Sequence, residues 1–265
     1  MLEPLPRLRK PDRLVPVYAR NLPASAAFGW LCGGWVDFRA ALGPSLAYGL
    51  FLTLMSYAVL WLLEVSHLLY LALPALSGFL IVGPFLAIGL YEKSRLQAAG
   101  ETVTLGRMLA FRPASGPQLA YAGLLLGLLI LFWLRAADLL YALFFGLVPF
   151  PGAQEALSNV LTTPRGWALL GTGALVGGLF AAFAFAISAF SVPMLVSRRT
   201  DALTAMGLSL VMTVQNLAPM LAWGMVVAAG LALSLLTGLL GLIVIFPVLG
   251  HGTWRAYVAI AEDTT

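Results

Sequence analysis

The chain has 265 residues, is 61% hydrophobic and only 10% charged, and carries a formal net charge of +4, which is too apolar for a domain with a wetted surface. The basic balance does not mark a nucleic-acid binder, because the charges lie in short segments flanking long apolar runs, where basic residues set topology and meet anionic headgroups. The single Cys32 excludes an intramolecular disulfide framework and a multi-cysteine metal site.

In chain order, Arg7, Arg9, Lys10 and Arg13 are followed by Pro16 and Asn21-Leu-Pro23 rather than by an apolar stretch. No cleavable signal peptide is expected, and 1–24 reads as a cytoplasmic tail. Ser25–Ala41, with Phe28, Trp30, Leu31, Trp35 and Phe38, reads as an interfacial helix, since Trp places its ring in the headgroup layer and keeps its N–H wet. Charge-free runs then follow at Ala40–Leu63, Val65–Tyr91, Pro113–Leu134, Gly166–Ser197 and, for 53 residues, Ala202–Trp254. About 20 apolar residues cross roughly 30 Å of hydrocarbon. The fold is therefore read as all-α: a polytopic membrane protein with six transmembrane helices, at about 44–63, 71–91, 117–135, 165–192, 219–236 and 238–257. They form a single membrane domain over 25–258, followed by a tail at 259–265.

Local chemistry marks the ends. Pro44 and Pro219 fit first helical turns, where no backbone donor is needed. Thr163 is an N-cap before Pro164, and Asp201 caps a second interfacial helix, Ala202–Asn216. Thr104–Phe111 is a third, shorter one. Thr237-Gly238 with Gly241 is the place for the last run to turn.

Thirteen of the fifteen basic residues precede span one, lie between spans two and three or four and five, or follow near the C-terminus; only Arg135 and Arg165 fall on the other side. Positive residues stay inside, so both termini are expected in the cytoplasm. The first and last hairpins also resemble each other. Ala41-Leu-Gly-Pro-Ser-Leu-Ala-Tyr-Gly49 aligns with Asn216–Gly224 at an offset of 175, and Leu80–Tyr91 with Ile243–Trp254 at 163. Both hairpins begin inside, which predicts a parallel internal repeat.

Gly34-Trp-Val-Asp-Phe38, Gly83-Pro-Phe through Gly-Leu-Tyr-Glu92, Leu139-Leu-Tyr-Ala-Leu-Phe-Phe-Gly146, Thr162-Thr-Pro-Arg-Gly166 and Pro247 through Gly-His-Gly-Thr-Trp254 resemble an uncharacterised bacterial domain-of-unknown-function family of predicted integral membrane proteins. The resemblance implies the bacterial inner membrane and supplies no activity. Members of that family are sometimes labelled as related to cytochrome c oxidase subunit I. A haem–copper site needs several imidazoles, whereas this chain has only His67, past the outer end of span one, and His251, within span six. No haem can be shared between them, so no cofactor is expected.

The remaining chemistry is sparse. Arg135 and Asp138 form an i, i+3 pair at the outer surface. Glu92 and Arg255 are equivalent positions of the repeat and could pair across spans two and six, with Arg95 as a competing local partner. His251 is the titratable midspan group, with Gly250 and Gly252 leaving room beside it and Pro247 freeing the Ile243 carbonyl. Pro84 and Pro247 are kink sites. Gly173 and Gly177 stand in the spacing that lets helix backbones approach. No Ser-His-acid arrangement can be assembled from the sequence. These features point to a non-enzymatic accessory, scaffold or assembly protein of a larger membrane complex. Its expected partners are membrane lipids and either another membrane protein or a second copy, not nucleic acid. The alternative is a small-solute or ion transporter.

Overall fold

A computed structural model describes residues 18–68, 71–146 and 153–261. The first 17 residues of the expected N-terminal tail and 262–265 of the C-terminal one lie outside them. Twelve helices and no strand occur among the described residues: α1 (Ala26–Ala40), α2 (Leu42–Val65), α3 (Ala72–Leu86), α4 (Ile88–Ala98), α5 (Leu105–Leu109), α6 (Gly116–Phe145), α7 (Ala153–Thr162), α8 (Pro164–Ser188), α9 (Ser191–Ser197), α10 (Ala202–Gln215), α11 (Leu217–Leu236) and α12 (Leu242–Ala261).

Five helices are long and apolar enough to cross a membrane: α2, α6, the α8–α9 stretch Pro164–Ser197, α11 and α12. The expected second span, 71–91, is instead two shorter helices that part at Ala87. Pro84 lies just before the break and has no N–H to give the preceding turn. The expected fourth span is likewise interrupted, at Ala189 and Phe190. There Ser209 of α10 bridges the gap, accepting the Phe190 N–H at 3.1 Å and donating to the Ala186 carbonyl at 2.8 Å. A backbone group freed by the break thus finds a side-chain partner. The third span runs on to Phe145 as a 30-residue helix. The sixth begins at Leu242 rather than 238, because Gly238 (φ +61°) and Leu239 (φ +70°) spend those residues on a left-handed turn.

The two expected caps form: the Thr163 hydroxyl accepts from Gly166 N at 3.0 Å and the Asp201 carboxylate from Thr204 N at 2.8 Å. A further cap, not expected, is the Thr104 hydroxyl, which accepts from Arg107 N at 3.3 Å. Each satisfies one of the first-turn donors a helix leaves open.

Packing centres on α12, which is buried along most of its length and meets α1, α2, α4, α9 and α11. The helix expected to lie flat in the interface, α1, is docked on α12 and α11 by one face: Trp30 is buried, edge-on to Trp223 at 6.1 Å. Its other face leaves Phe28, Trp35 and Val36 exposed. Close backbone approach occurs, but not at the expected glycines. A methyl group on Gly34 would lie 2.4 Å from the Val248 carbonyl oxygen, and one on Gly49 2.2 Å from that of Ile243. Gly177 instead receives the ring of Trp133, and nothing approaches Gly173 within 4 Å of where its Cβ would be.

Candidate functional site

Where α1 turns into α2, α4 and the C-terminal half of α12 close over a set of buried polar side chains. Lys93 of α4 has no exposed surface, and Asp37 of α1 keeps 4% of its own. The Lys93 ammonium donates to the carbonyl oxygens of Asp37 (2.8 Å), Phe38 (3.3 Å) and Ala41 (2.9 Å) and to Ser45 Oγ (2.5 Å). Ser45 Oγ lies 3.2 Å from His251 Nε2, and His251 Nδ1 lies 2.8 Å from Ser94 Oγ. Ser94 donates to Asp37 Oδ2 at 3.1 Å, and Arg255 grips the same carboxylate with Nε at 2.9 Å and Nη2 at 2.5 Å.

Donor and acceptor capacities fix the direction of this chain. A lysine ammonium only donates and a carboxylate only accepts. With Ser94 giving its one hydrogen to Asp37, it accepts from His251, whose proton is then on Nδ1. In the neutral ring Nε2 accepts from Ser45, which itself accepts from Lys93. Five side chains run head to tail from a buried cation to a buried anion, with Arg255 reaching the solvent side. Gln97 adds a bond from Nε2 to the Asp37 carbonyl at 3.2 Å, and its Oε1 is the buried side-chain atom left without a partner among the described residues.

Several expectations are corrected here. Serine, histidine and acid do converge, though the bonded pairs come from segments 57 to 206 residues apart. The order, Ser45–His251–Ser94–Asp37, resembles a nucleophile, its base and an orienting pair. However, Ser45 is wholly buried and holds Lys93, so no reacting carbonyl can be placed beside it. Glu92 and Arg255 do not pair: Arg255 holds Asp37, and Glu92 takes the competing local partner Arg95 through two bonds of 2.8 and 2.7 Å. The room beside His251 is filled, because Gly250 abuts Leu90 and Gly252 abuts the Trp223 ring and the Trp30 carbonyl. The Ile243 carbonyl freed by Pro247 is turned toward Gly49 of α2.

Arg135 and Asp138 form an exposed pair at 3.3 Å. His67 follows the C-terminal end of α2 with φ +56°, while Ser45, bonded to His251, lies near the helix's start. About 20 intervening residues at roughly 1.5 Å each separate the two imidazoles by about 30 Å. Among the described residues, no group of three or more His, Cys, Asp or Glu could hold a metal ion.

Sequence reasoning missed Lys93, Asp37, Ser45 and Ser94. A charge inside an aromatic helix, Asp37 between Trp35 and Phe38, was the available signal.

No curated protein and no solved structure matches the chain. The motifs at Gly34–Phe38 and Pro247–Trp254 lie outside the segment that a family model does match. That segment is residues 71–197, and the family is described as Predicted integral membrane protein (DUF2189), so from α3 to α9 the chain is similar to an uncharacterised family of membrane proteins.

Proposed function

We propose that the protein is a non-enzymatic accessory, scaffold or assembly protein within a larger complex of the bacterial inner membrane, a respiratory complex being the instance the resemblance suggests. The observation that carries this reading is how the ionisable groups are used: Lys93, Asp37, His251 and Arg255 are spent on one another, fastening α1 to α4 and α12. Such a network builds a rigid platform rather than a reaction centre. We count six crossings, taking α3 and α4 as one bent span, with both termini in the cytoplasm. We read α1–α2 and α10–α11 as copies of one unit, since each pair is a short helix, a single-residue break at Ala41 or Asn216, and a long apolar helix. Purification in gentle detergent followed by cross-linking mass spectrometry tests the role. Stoichiometric membrane-protein partners are expected, and a species with the mass of one chain and no partner would overturn it. Cys32 is exposed on α1, so a membrane-impermeant maleimide should leave it unlabelled in sealed spheroplasts until they are opened.

A second reading, transport of a small solute, draws support from the two interrupted helices, a feature of carriers that bind solute at broken spans. Against it, the polar chain stops at Lys93, which is enclosed. A His251→Gln variant in reconstituted vesicles separates the readings. Loss of a pH-dependent flux with partners retained favours transport, and unchanged permeability with partners lost favours the accessory role.

A further inference from the structure

A cavity of about 70 Å³ lies between α3, α8, α11 and α12, on the outer side of the polar network. Its lining follows a pattern. On the α3–α4 span it takes Phe79, Gly83 and Ala87, at four-residue steps. On α12 it takes Leu242, Phe246 and Gly250, the same steps displaced by 163 residues, which is the offset that relates the two hairpins in sequence. On the α8–α9 span it takes Phe185 and Ala189. Three returning helices thus present matched layers to one axis, and the layer at Ala87, Ala189 and Gly250 is made of small residues only. One turn further in, Tyr91 and Trp254 stack at 6.4 Å and close the axis toward the polar network.

We propose that this axial cavity is a binding site for a small, uncharged, apolar molecule of dissolved-gas size. An apolar cavity has no groups to hold water and stays dry, and one of roughly 150 Å³ admits benzene or xenon. At about half that volume, and open on one side, the site has room for an atom or a molecule of two or three atoms. The polar groups in the wall do not contradict this. Ser234 donates to the Gly230 carbonyl and Thr253 to the Leu249 carbonyl, each within its own helix, and the third polar side chain of the wall, Tyr91, stands at one end of the cavity with its ring against Trp254. The surrounding hydrocarbon concentrates apolar solutes, so the ligand can arrive from the bilayer. The proposal goes beyond the accessory reading and does not depend on it.

Xenon is the probe. Crystals of the full chain pressurised with xenon should show an anomalous peak between Gly83, Ala189 and Leu249. Gly83→Leu should abolish it, because a Cβ at residue 83 meets nothing within 4 Å and the side chain would enter the cavity. Val227→Phe, from the α11 wall, is the second filling variant should the first not fold. Gly171→Leu, at an exposed position with nothing within 4 Å, should leave the peak unchanged. Absence of a peak in the unmodified protein, ordered water in its place, or continuous density of a lipid chain through the slot would each overturn the proposal.

Discussion

Lys93 Nζ on α4 donates to the carbonyl oxygen of Ala41 at 2.9 Å, and Ala41 is the residue at which α1 ends and α2 begins. The last carbonyls of a helix have no partners within it and carry its partial negative charge. A buried ammonium supplies the donors and the opposite charge together. Three of the four acceptors around Lys93 are therefore carbonyls at the C-terminal end of another helix.

Replacing Lys93 with Met keeps the stem and removes those donors. The Asp37, Phe38 and Ala41 carbonyls and Ser45 would be left buried and underbonded. Charged hydrogen bonds contribute about 1.5–3 kcal/mol each, and not all of that is lost when neighbours relax, so a destabilisation of about 2–4 kcal/mol is expected. Thermal unfolding in mild detergent, followed by tryptophan fluorescence, reads it through the buried Trp30–Trp223 pair. An unchanged midpoint would show that Lys93 does not fasten α1.

Gly34→Ala and Gly49→Ala should each destabilise the protein, because the new methyl would meet backbone carbonyls of α12 at 2.4 and 2.2 Å, and a backbone cannot move aside as a side-chain tip does. Overpacking of this kind costs about 1–3 kcal/mol. Gly173→Ala, with open space around it, should be neutral or stabilising by up to about 1 kcal/mol through helix propensity. Melting all three variants side by side decides whether tight packing is centred on α12 or on the glycine pair of α8.

His251 should be neutral with its proton on Nδ1, as the direction of the hydrogen-bond chain requires. Nitrogen NMR of the histidine-labelled protein distinguishes the tautomers. A signal for Nε2–H would mean that Ser45 does not donate to the ring, and the order of the chain would have to be reversed at that point.

Asp201 caps α10, and the Thr204 hydroxyl and N–H hold its carboxyl below the ordinary value of 3.8. A folded-state value lower than the unfolded one stabilises above the unfolded value and is lost as the pH falls through the folded one. Protection of the first-turn amides of α10 against hydrogen exchange, relative to the unfolded chain at the same pH, should be full at neutral pH and fall as the pH drops through the folded value. In Asp201→Asn, which caps without titrating, that acid step should vanish; its persistence would assign the step to another group.

The places where helices start were legible because the information is local. Thr163 before Pro164 and Asp201 before an apolar run act within one turn, and both caps form. The interruptions were half legible: Pro84 marked the one at Ala87, whereas the one at Ala189 and Phe190 depends on a distant partner, Ser209. The polar network was not legible. Counting charges by segment treats Lys93 as one more solvated residue of an inner loop, and nothing near it in sequence says that α1 lies over it. The glycine spacing on α8 misled for a related reason. Spacing identifies a face where close approach is allowed, whereas Gly34 and Gly49 only declare themselves once α12 is beside them.

The ion pair between Asp37 and Arg255 joins residues 218 positions apart. At a synthesis rate of roughly 5–20 residues per second, Asp37 precedes its partner by about 10–40 s. His251 and the α12 backbone that receives Gly34 and Gly49 arrive equally late. During that interval the first hairpin must wait at the membrane with a carboxylate and an ammonium that the finished protein hides. Premature termination anywhere before α12 would leave those charges exposed, and membrane quality control could recognise them. The C-terminal helix therefore completes the assembly as a keystone does: the earliest-made part of the protein is the last to become stable.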